Sequence, residues 1–326
     1  MTSLLALSNV NLAVPSAGRM LPILDEITLE VAAGESLGLV GESGSGKSMT
    51  TRTIARLLPA GSAVGGSITF DGTDVGALTG RALRDYRVHD VGMIFQDARA
   101  HLDPLQRIGD FMIEPAAIRG TASRRQALAD AEELLRDVGI DDPGRRLRQY
   151  PLELSGGMLQ RVMIASVLLA RPRLVLADEP TTALDVTTQS DVLAILDQLR
   201  RDAGTALIFV THDLDLAAAV CDRIAVMYAG SVQEVRPAAA LTEAPLHPYS
   251  EALLASRPDI RATAERLPVV PGRPVSAFEA PHGCVFAPRC PHSADVCTST
   301  RPAFEPITDG AVRCVRVHEL HPKAAR

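Results

Sequence analysis

Short apolar runs alternate with amphipathic stretches along most of this chain. Runs of four or five residues, apolar or alternating, predict strands at residues 27–31, 36–40, 67–70, 91–95, 174–177 and 206–210. Apolar residues at helical spacing, or directly after a glycine-rich turn, predict helices at residues 46–58, 121–138 and 186–201. This alternation is typical of α/β folds, in which helices cover a mostly parallel sheet.

The pattern changes towards the C-terminal end. After about residue 256, Pro, Arg and Cys become frequent and no clear period remains. A chain of 326 residues exceeds the size of one typical domain. We therefore expect a large α/β domain at residues 1–255, with a helical subdomain at about residues 97–160. A smaller cysteine-containing domain is expected at residues 256–326.

Composition narrows the possible functions. The net charge is -6, aromatic residues make up 3% of the chain and Trp is absent, which argues against base stacking or a basic footprint for nucleic acid. The longest apolar stretches, such as residues 162–170, are far shorter than the roughly 20 residues that cross a bilayer. The first 14 residues lack the features of a signal peptide. We expect a chain that resides in the cytoplasm.

The first chemical motif is GESGSGKS at residues 41–48, which follows an apolar strand and opens a helix. Glycines in this context let backbone N–H groups surround phosphates at a helix N-terminus. Lys47 would neutralise the phosphates and Ser48 would help to hold Mg²⁺. The chain contains only two lysines, Lys47 and Lys323, which favours a role that needs a compact point charge. The predicted nucleotide-binding residues here are Gly41, Ser43, Gly44, Ser45, Gly46, Lys47, Ser48 and Met49.

The second motif is a strand that ends in two carboxylates, Asp178 and Glu179. Buried strands rarely carry charges unless those charges have partners or a chemical role. Asp178 is placed to organise Mg²⁺, and Glu179 to activate the water that attacks the γ-phosphate. A solvated strand end is the alternative interpretation, and the phosphate-binding motif makes it the weaker one.

Ser155, Gly156 and Gly157, within LSGGMLQR at residues 154–161, supply a third anion-binding signal at a helix start. Together with the two motifs above, this segment resembles the signature of the ABC ATPase superfamily. The resemblance implies an α/β, RecA-like phosphate-loop core with a small antiparallel β portion and a helical subdomain. It also implies that this helix faces the γ-phosphate held by another subunit, so that two chains meet head to tail around ATP.

Three further positions take their roles only from this resemblance. Gln96 matches the glutamine that contacts Mg²⁺ or the attacking water and relays to a transmembrane subunit. Asp185 matches the loop that crosses the dimer interface, and His212 matches the histidine that contacts the γ-phosphate. The family's adenine-stacking aromatic residue aligns with Val14, which can bury the base without stacking on it.

Four segments, at residues 178–187, 226–230, 247–254 and 283–291, are similar to the ATPases of oligopeptide and dipeptide importers. The resemblance implies a motor subunit on the cytoplasmic face of the inner membrane. It implies a second ATPase, in a heterodimer, two permease subunits and an extracytoplasmic solute-binding protein as partners, and no nucleic acid. Relatives import glutathione, nickel complexes or other small solutes, which is the alternative interpretation of the substrate.

Two other classes of protein fit less well. Non-transport ABC ATPases of chromosomes or translation carry long coiled coils or a second ATPase core, and this sequence shows neither. An iron-sulfur electron-transfer protein with a nucleotide fold would leave Glu179 and Ser155 without a purpose.

Four of the five cysteines lie in the last part of the chain: Cys284, Cys290, Cys297 and Cys314. They are separated by five, six and sixteen residues, whereas chance placement would have scattered them along the chain. A reducing cytoplasm disfavours disulfides, so metal ligation is predicted, by zinc or a 4Fe-4S cluster. The spacing lacks paired C-x-x-C knuckles, and the resembling importer ATPases carry a cluster here, so 4Fe-4S is favoured. Cys221 precedes a further predicted strand, at residues 223–228, and is expected to be an ordinary buried cysteine.

Overall fold

The structure is a computed structural model that describes residues 3–120, 122–181, 186–256 and 270–322. The chain forms two compact units, each assembled from segments that are separate in sequence. The first unit comprises Met1–Leu4, Val31–Glu35 and Val75–Val210, and the second comprises Leu5–Glu30, Ser36–Asp74 and Thr211–Arg326.

In the described ranges the strands are β1 (Ser3–Ser16), β2 (Arg19–Ala32), β3 (Ser36–Val40), β4 (Ala63–Phe70), β5 (Thr73–Asp74), β6 (Val91–Ile94), β7 (Leu174–Asp178), β8 (Ala206–Thr211), β9 (Arg223–Tyr228), β10 (Ser231–Pro237), β11 (Glu305–Ile307) and β12 (Gly310–Val312). The helices are α1 (Lys47–Ile54), α2 (Gly80–Asp85), α3 (Ile108–Arg119), α4 (Arg124–Asp137), α5 (Pro143–Arg146), α6 (Gly156–Ala170), α7 (Val186–Ala203), α8 (Leu214–Val220), α9 (Ala238–Glu243), α10 (Pro248–Ala255), α11 (Asp295–Ser299) and α12 (Val317–Leu320).

The first unit combines a parallel sheet with packed helices. Strand β7 pairs in parallel with β6 on one side and with β8 on the other. Every residue of β7 and β8 is buried, as expected for strands covered on both faces. Helices α3, α4 and α6 pack against one another. Residues 162–168 of α6 are buried, so most of the apolar run at residues 162–170 belongs to the core.

The second unit contains an antiparallel sheet in the order β2-β1-β4-β5. It also contains β3, which pairs in parallel with β9, and an antiparallel series in which β10 pairs with β9 and β12, and β12 pairs with β11. The two strands nearest the C-terminus thus extend pairing that begins in β9 and β10. Parallel and antiparallel strands occur together, as the sequence predicts.

The predicted elements are found, with corrections at their ends. Helix α1 stops at Ile54, four residues before the predicted end, because Arg56 adopts a left-handed conformation with φ 58°. Helix α4 begins after Ser123, whose hydroxyl accepts a hydrogen bond from the Gln126 backbone and caps the helix. The strands β1, β5, β10, β11 and β12 were not among the predicted elements, and neither were the helices α2, α3, α5 and α8 to α12.

The region near the C-terminus shares its core with the rest of the second unit. Phe286 is fully buried and packs against Tyr228 and Tyr249, with ring centroids 5.4 and 5.1 Å away. Tyr228 and Tyr249 contact each other at 4.8 Å. In a chain with few aromatic residues, this cluster joins segments that are far apart in sequence.

Candidate nucleotide site

The phosphate loop, residues 41–48, lies in the second unit between β3 and α1. Gly46 precedes α1 with φ 103°, and Gly44 has φ 81°, conformations that residues with a Cβ rarely adopt. A Cβ at Gly41 would lie 2.1 Å from the carbonyl oxygen of Met227. The glycines are therefore required by the path of the loop, which turns its backbone towards a helix N-terminus.

Lys47 is held inside this loop and is only 6% exposed. Its Nζ donates to the carbonyl oxygens of Gly41, at 2.7 Å, and Glu42, at 3.0 Å. It also lies 3.4 Å from the Ser45 hydroxyl. The ammonium group is thus fixed in place by the loop that it would assist. Ser43 and Gly44 are exposed, while Ser48 and Met49 are half-buried.

Asp178 and Glu179 lie at the end of β7 in the first unit. Asp178 is 2% exposed. Glu179 has φ 46°, a strained conformation for a residue other than glycine, and its N–H donates to the Val210 carbonyl at 3.0 Å. The side-chain amide of Gln96 donates to a carboxylate oxygen of Glu179 at 2.8 Å. The structure therefore brings Gln96 and Glu179 together.

The segment after Gln96 is fixed by contacts that sequence reasoning missed. The Gln160 side chain, on α6, donates to the Phe95 carbonyl at 3.0 Å. The His101 ring stacks on Phe95 with centroids 3.7 Å apart and nearly parallel planes. His101 Nδ1 also lies 2.8 Å from the Asp97 carbonyl oxygen. His101 thus has a local structural role.

Ser155 caps the N-terminus of α6, since its hydroxyl accepts from the Met158 backbone at 3.3 Å. Ser155 and Gly156 are exposed, and Gly157 is half-buried. A Cβ at Gly156 would meet no described atom within 4 Å. The fold of the single chain therefore does not explain the glycine at this position.

His212 lies in the second unit, directly after β8, and is exposed. Asp213 follows it and caps α8, because its carboxylate accepts from the Leu216 backbone at 3.0 Å. The cap fixes the point at which the chain leaves the strand. Asp185 lies outside the described residues. Val14 is half-buried on β1.

Cys284, Cys290, Cys297 and Cys314 line one small cavity of about 10 Å³. Burial raises the pKa of Cys314 to about 11 and also raises the pKa of Cys284 and Cys290. Among the described residues, no group of three or more His, Cys, Asp or Glu side chains is positioned to hold a metal ion. The structure thus gathers the four cysteines but does not show a formed metal centre. Cys221 is a separate buried residue, as expected.

A glycine-rich phosphate loop, a buried strand ending in Asp-Glu, a glutamine bonded to that glutamate and a capped Ser-Gly-Gly helix are now placed on an α/β fold. These features define a phosphate-loop ATPase of the ATP-binding cassette class.

Comparisons with known proteins agree. Residues 24–182 match the ABC transporter family, and residues 233–297 match the oligopeptide/dipeptide transporter C-terminal region. The chain is 42% identical to the oligopeptide transport ATP-binding protein OppD of Escherichia coli strain K12, over 89% of this chain and 86% of that protein. It is 38% identical to OppD of Haemophilus influenzae, over 91% and 92% of the two chains. The chain belongs to the ABC transporter family and, within it, to the oligopeptide transport ATP-binding proteins.

Solved structures show the same fold. The dimeric bacterial ABC transporter cassette MJ0796 is 29% identical and matches 72% of this chain and 98% of its own, with a TM-score of 0.65. A post-hydrolysis dimer of MJ0796 bound to ADP and Pi is 27% identical, with the same coverage and a TM-score of 0.64. The chain is thus an ATP-hydrolysing cassette. None of the helices in the described ranges is long and apolar enough to span a membrane.

Proposed function

We propose that this chain is the ATP-hydrolysing motor subunit of an importer for oligopeptides or dipeptides. One observation carries the proposal: similarity to OppD extends over 89% of the chain, through the C-terminal region that defines the peptide transporters. The ABC ATPase domain would span residues 1–255, with its helical subdomain at about residues 97–160. The C-terminal domain would span residues 256–326.

In this proposal the residues of the nucleotide motifs each have a role in hydrolysis. Lys47 and the N–H groups of residues 41–49 hold the phosphates, and His212 contacts the γ-phosphate. Glu179 accepts a proton from the attacking water, and the hydrogen bond from Gln96 fixes its carboxylate. The oxygen donors of Ser48, Gln96 and Asp178 suit Mg²⁺, which would neutralise charge on the phosphates.

We further propose that Ser155, Gly156 and Gly157 serve a nucleotide held by a second ATPase subunit, with Asp185 at the same interface. The exposed cap of α6 and the open space at Gly156 support this arrangement. The related cassette MJ0796 is itself dimeric. The preferred arrangement is a heterodimer of two different ATPases.

Transport requires membrane partners, which we infer to be two permease subunits and a solute-binding protein, with this chain on the cytoplasmic face. Exposed apolar side chains support a docking surface in the first unit. Leu105 is 86% exposed and Leu152 is 73% exposed, and Tyr150, two positions before Leu152, is also exposed. Exposed apolar groups of this kind mark interaction sites.

A charged residue at Leu105 tests this coupling. Leu105→Glu is expected to leave the melting temperature and basal ATPase of the isolated chain unchanged, because the side chain is almost fully exposed. In the assembled transporter, solute-stimulated ATPase should fall by about tenfold, since a buried charge at an interface weakens docking. Leu102 is unsuitable for the same test because it is 4% exposed and a charge there would disrupt folding. An equal loss of basal and stimulated activity in Leu105→Glu would contradict the coupling role.

Identifying the class of transported substrate requires an experiment on the whole transporter. We would isolate this chain together with the permeases and second ATPase that co-purify with it and reconstitute the complex in vesicles. Uptake of dipeptides or longer oligopeptides supports the proposal. Uptake of glutathione or a nickel complex instead, with no peptide uptake, would assign the alternative solutes.

We also propose that the four clustered cysteines hold a 4Fe-4S cluster, with Zn²⁺ as the alternative. The donor set supports a thiolate-held centre, because four cysteines line a single cavity. A zinc ion needs four sulfurs at about 2.3 Å from one point, and no described group has a single-ion arrangement. Each thiolate of a cluster binds a different iron, so a cluster accepts cysteine sulfurs that are further apart than those around one zinc ion. The side chains that line the cavity would move outwards to admit the cluster. Its role would be structural.

Anaerobic purification followed by iron, sulfide and zinc analysis tests this site. We expect about four irons and four sulfides per chain and a brown protein. Cys290→Ser should lose the colour and lower the melting temperature, whereas Cys221→Ser should keep the metal. One zinc per colourless chain would assign the alternative metal. No metal, together with an unchanged melting temperature in Cys290→Ser, would exclude the site.

A further inference from the structure

Two residues from distant parts of the second unit hold Glu42, the second residue of the phosphate loop. The backbone N–H of Glu42 donates to the hydroxyl of Tyr249, on α10, at 2.9 Å. The carboxylate of Glu42 accepts two hydrogen bonds from the Arg289 guanidinium, at 2.5 and 3.1 Å. This planar, two-bond pairing fixes direction as well as distance. Neither contact is part of the phosphate-loop motif, which leaves position 42 unspecified.

Arg289 is itself fixed, so it can act as a rigid support. Its side chain is 4% exposed, and it donates to the carbonyl of Pro271 at 2.6 Å and contacts the hydroxyl of Tyr228 at 3.3 Å. A long side chain that is already ordered loses little entropy when the loop must adopt one shape.

The same part of the chain lies close to the loop at Gly44. A Cβ at Gly44 would lie 3.6 Å from the Ser276 hydroxyl, and a Cβ at Gly230 would lie 2.7 Å from the Cβ of Ala277. The N–H of Gly230 in turn donates to the Ser45 carbonyl at 3.0 Å. The phosphate loop is therefore hydrogen-bonded to Gly230, Tyr249 and Arg289, and Ser276 lies near it.

We propose that Arg289 and Tyr249 are positioning residues that hold the phosphate loop in its nucleotide-binding shape, so that the region after α10 sets the affinity for ATP. Glu42 also offers its carbonyl to Lys47, at 3.0 Å, so holding Glu42 helps to place the ammonium group. A loop that is ordered before binding does not lose that entropy when ATP arrives. Neither residue touches the reacting atoms, so the effect falls on binding and spares the chemical step.

The test compares two arginines in the same region, each in a two-bond pair with a glutamate. Arg289→Met removes the pair with Glu42. Arg273→Met removes the pair with Glu279, whose hydrogen bonds are 3.1 and 2.9 Å long, at a site where Arg273 is 73% exposed. In the full chain, Arg289→Met should raise the Kd and KM for ATP by about tenfold with kcat at saturation within about twofold. Arg273→Met should change none of these. Arg289→Lys, which keeps the charge but loses the fork, should fall between wild type and Arg289→Met.

Tyr249→Phe keeps the proposal testable if Arg289→Met does not fold. It deletes only the hydroxyl that accepts from Glu42 and leaves the ring in its aromatic cluster. A rise of about threefold in the Kd for ATP, with kcat unchanged, supports positioning. An unchanged Kd for ATP in Tyr249→Phe would overturn the proposal. The same holds if Arg289→Met has a lower melting temperature but binds ATP with normal affinity. This inference rests on the proposed function as an ATPase. If the wild-type chain did not bind ATP, that result would count against the proposed function and not against the positioning role.

Discussion

Glu179→Gln is expected to reduce ATP turnover by about 100- to 10,000-fold, the range for loss of a general base. Glutamine has the same shape, and its side-chain oxygen can still accept the hydrogen bond that Gln96 donates to Glu179 at 2.8 Å. It cannot take a proton from water. ATP should therefore bind normally and remain uncleaved, which phosphate release and nucleotide retention measure directly.

Two variants control for this result. Glu114→Gln makes the same chemical change at an exposed position on α3 and should keep full turnover. Gly156→Val, added to Glu179→Gln, places a side chain where no described atom lies within 4 Å, so the fold and ATP binding should survive. ATP-dependent association with the second ATPase, measured by light scattering, should be lost in that double variant. Near-normal turnover in Glu179→Gln would show that another group is the base.

Lys47→Ala is expected to weaken ATP binding by about a hundredfold, equivalent to about 2.8 kcal/mol. The substitution removes the positive charge beside the phosphates and leaves the carbonyl oxygens of Gly41 and Glu42 without the donor they now share. Titration calorimetry with ATP and Mg²⁺ measures the change.

Lys47→Arg separates charge from shape. The guanidinium keeps the charge, but it is larger and planar, and the site leaves the lysine only 6% exposed. We expect it to bind ATP nearly as poorly as Lys47→Ala. Lys323→Ala, which alters the other lysine in the sequence, should bind ATP normally. Full affinity in Lys47→Arg would mean that only the charge matters.

The sequence alone predicts features that depend on residues close together in the chain. The phosphate loop, the Asp178–Glu179 strand end and the cap at Ser155 are local patterns whose physics lies within a few residues. Strand β1 escaped prediction because Asn9 takes a left-handed conformation and a register shift between Ser8 and Asn11 breaks its alternation. Helix α3 escaped because it carries Pro115 inside and lacks a side-chain N-cap.

Contacts between distant residues were beyond a single sequence. Arg289 and Glu42 are 247 positions apart, and their pairing depends on the whole path of the chain between them. The motifs that contain Tyr249 and Arg289 pointed to a family, but they gave no indication of which residues they touch. A buried arginine can be recognised only after folding shows that its surroundings are closed to water.

The shared aromatic core has a consequence for mutations that truncate the chain. Phe286 completes a cluster with Tyr228 and Tyr249, and β12 pairs with β10. A premature stop codon just after α10 would remove Phe286, β12 and Arg289 together. The truncated product would expose Tyr228 and Tyr249 to water and leave the edge of β10 unpaired, both of which promote aggregation. We therefore expect the segment that follows α10 to change together with the ATPase core that it completes.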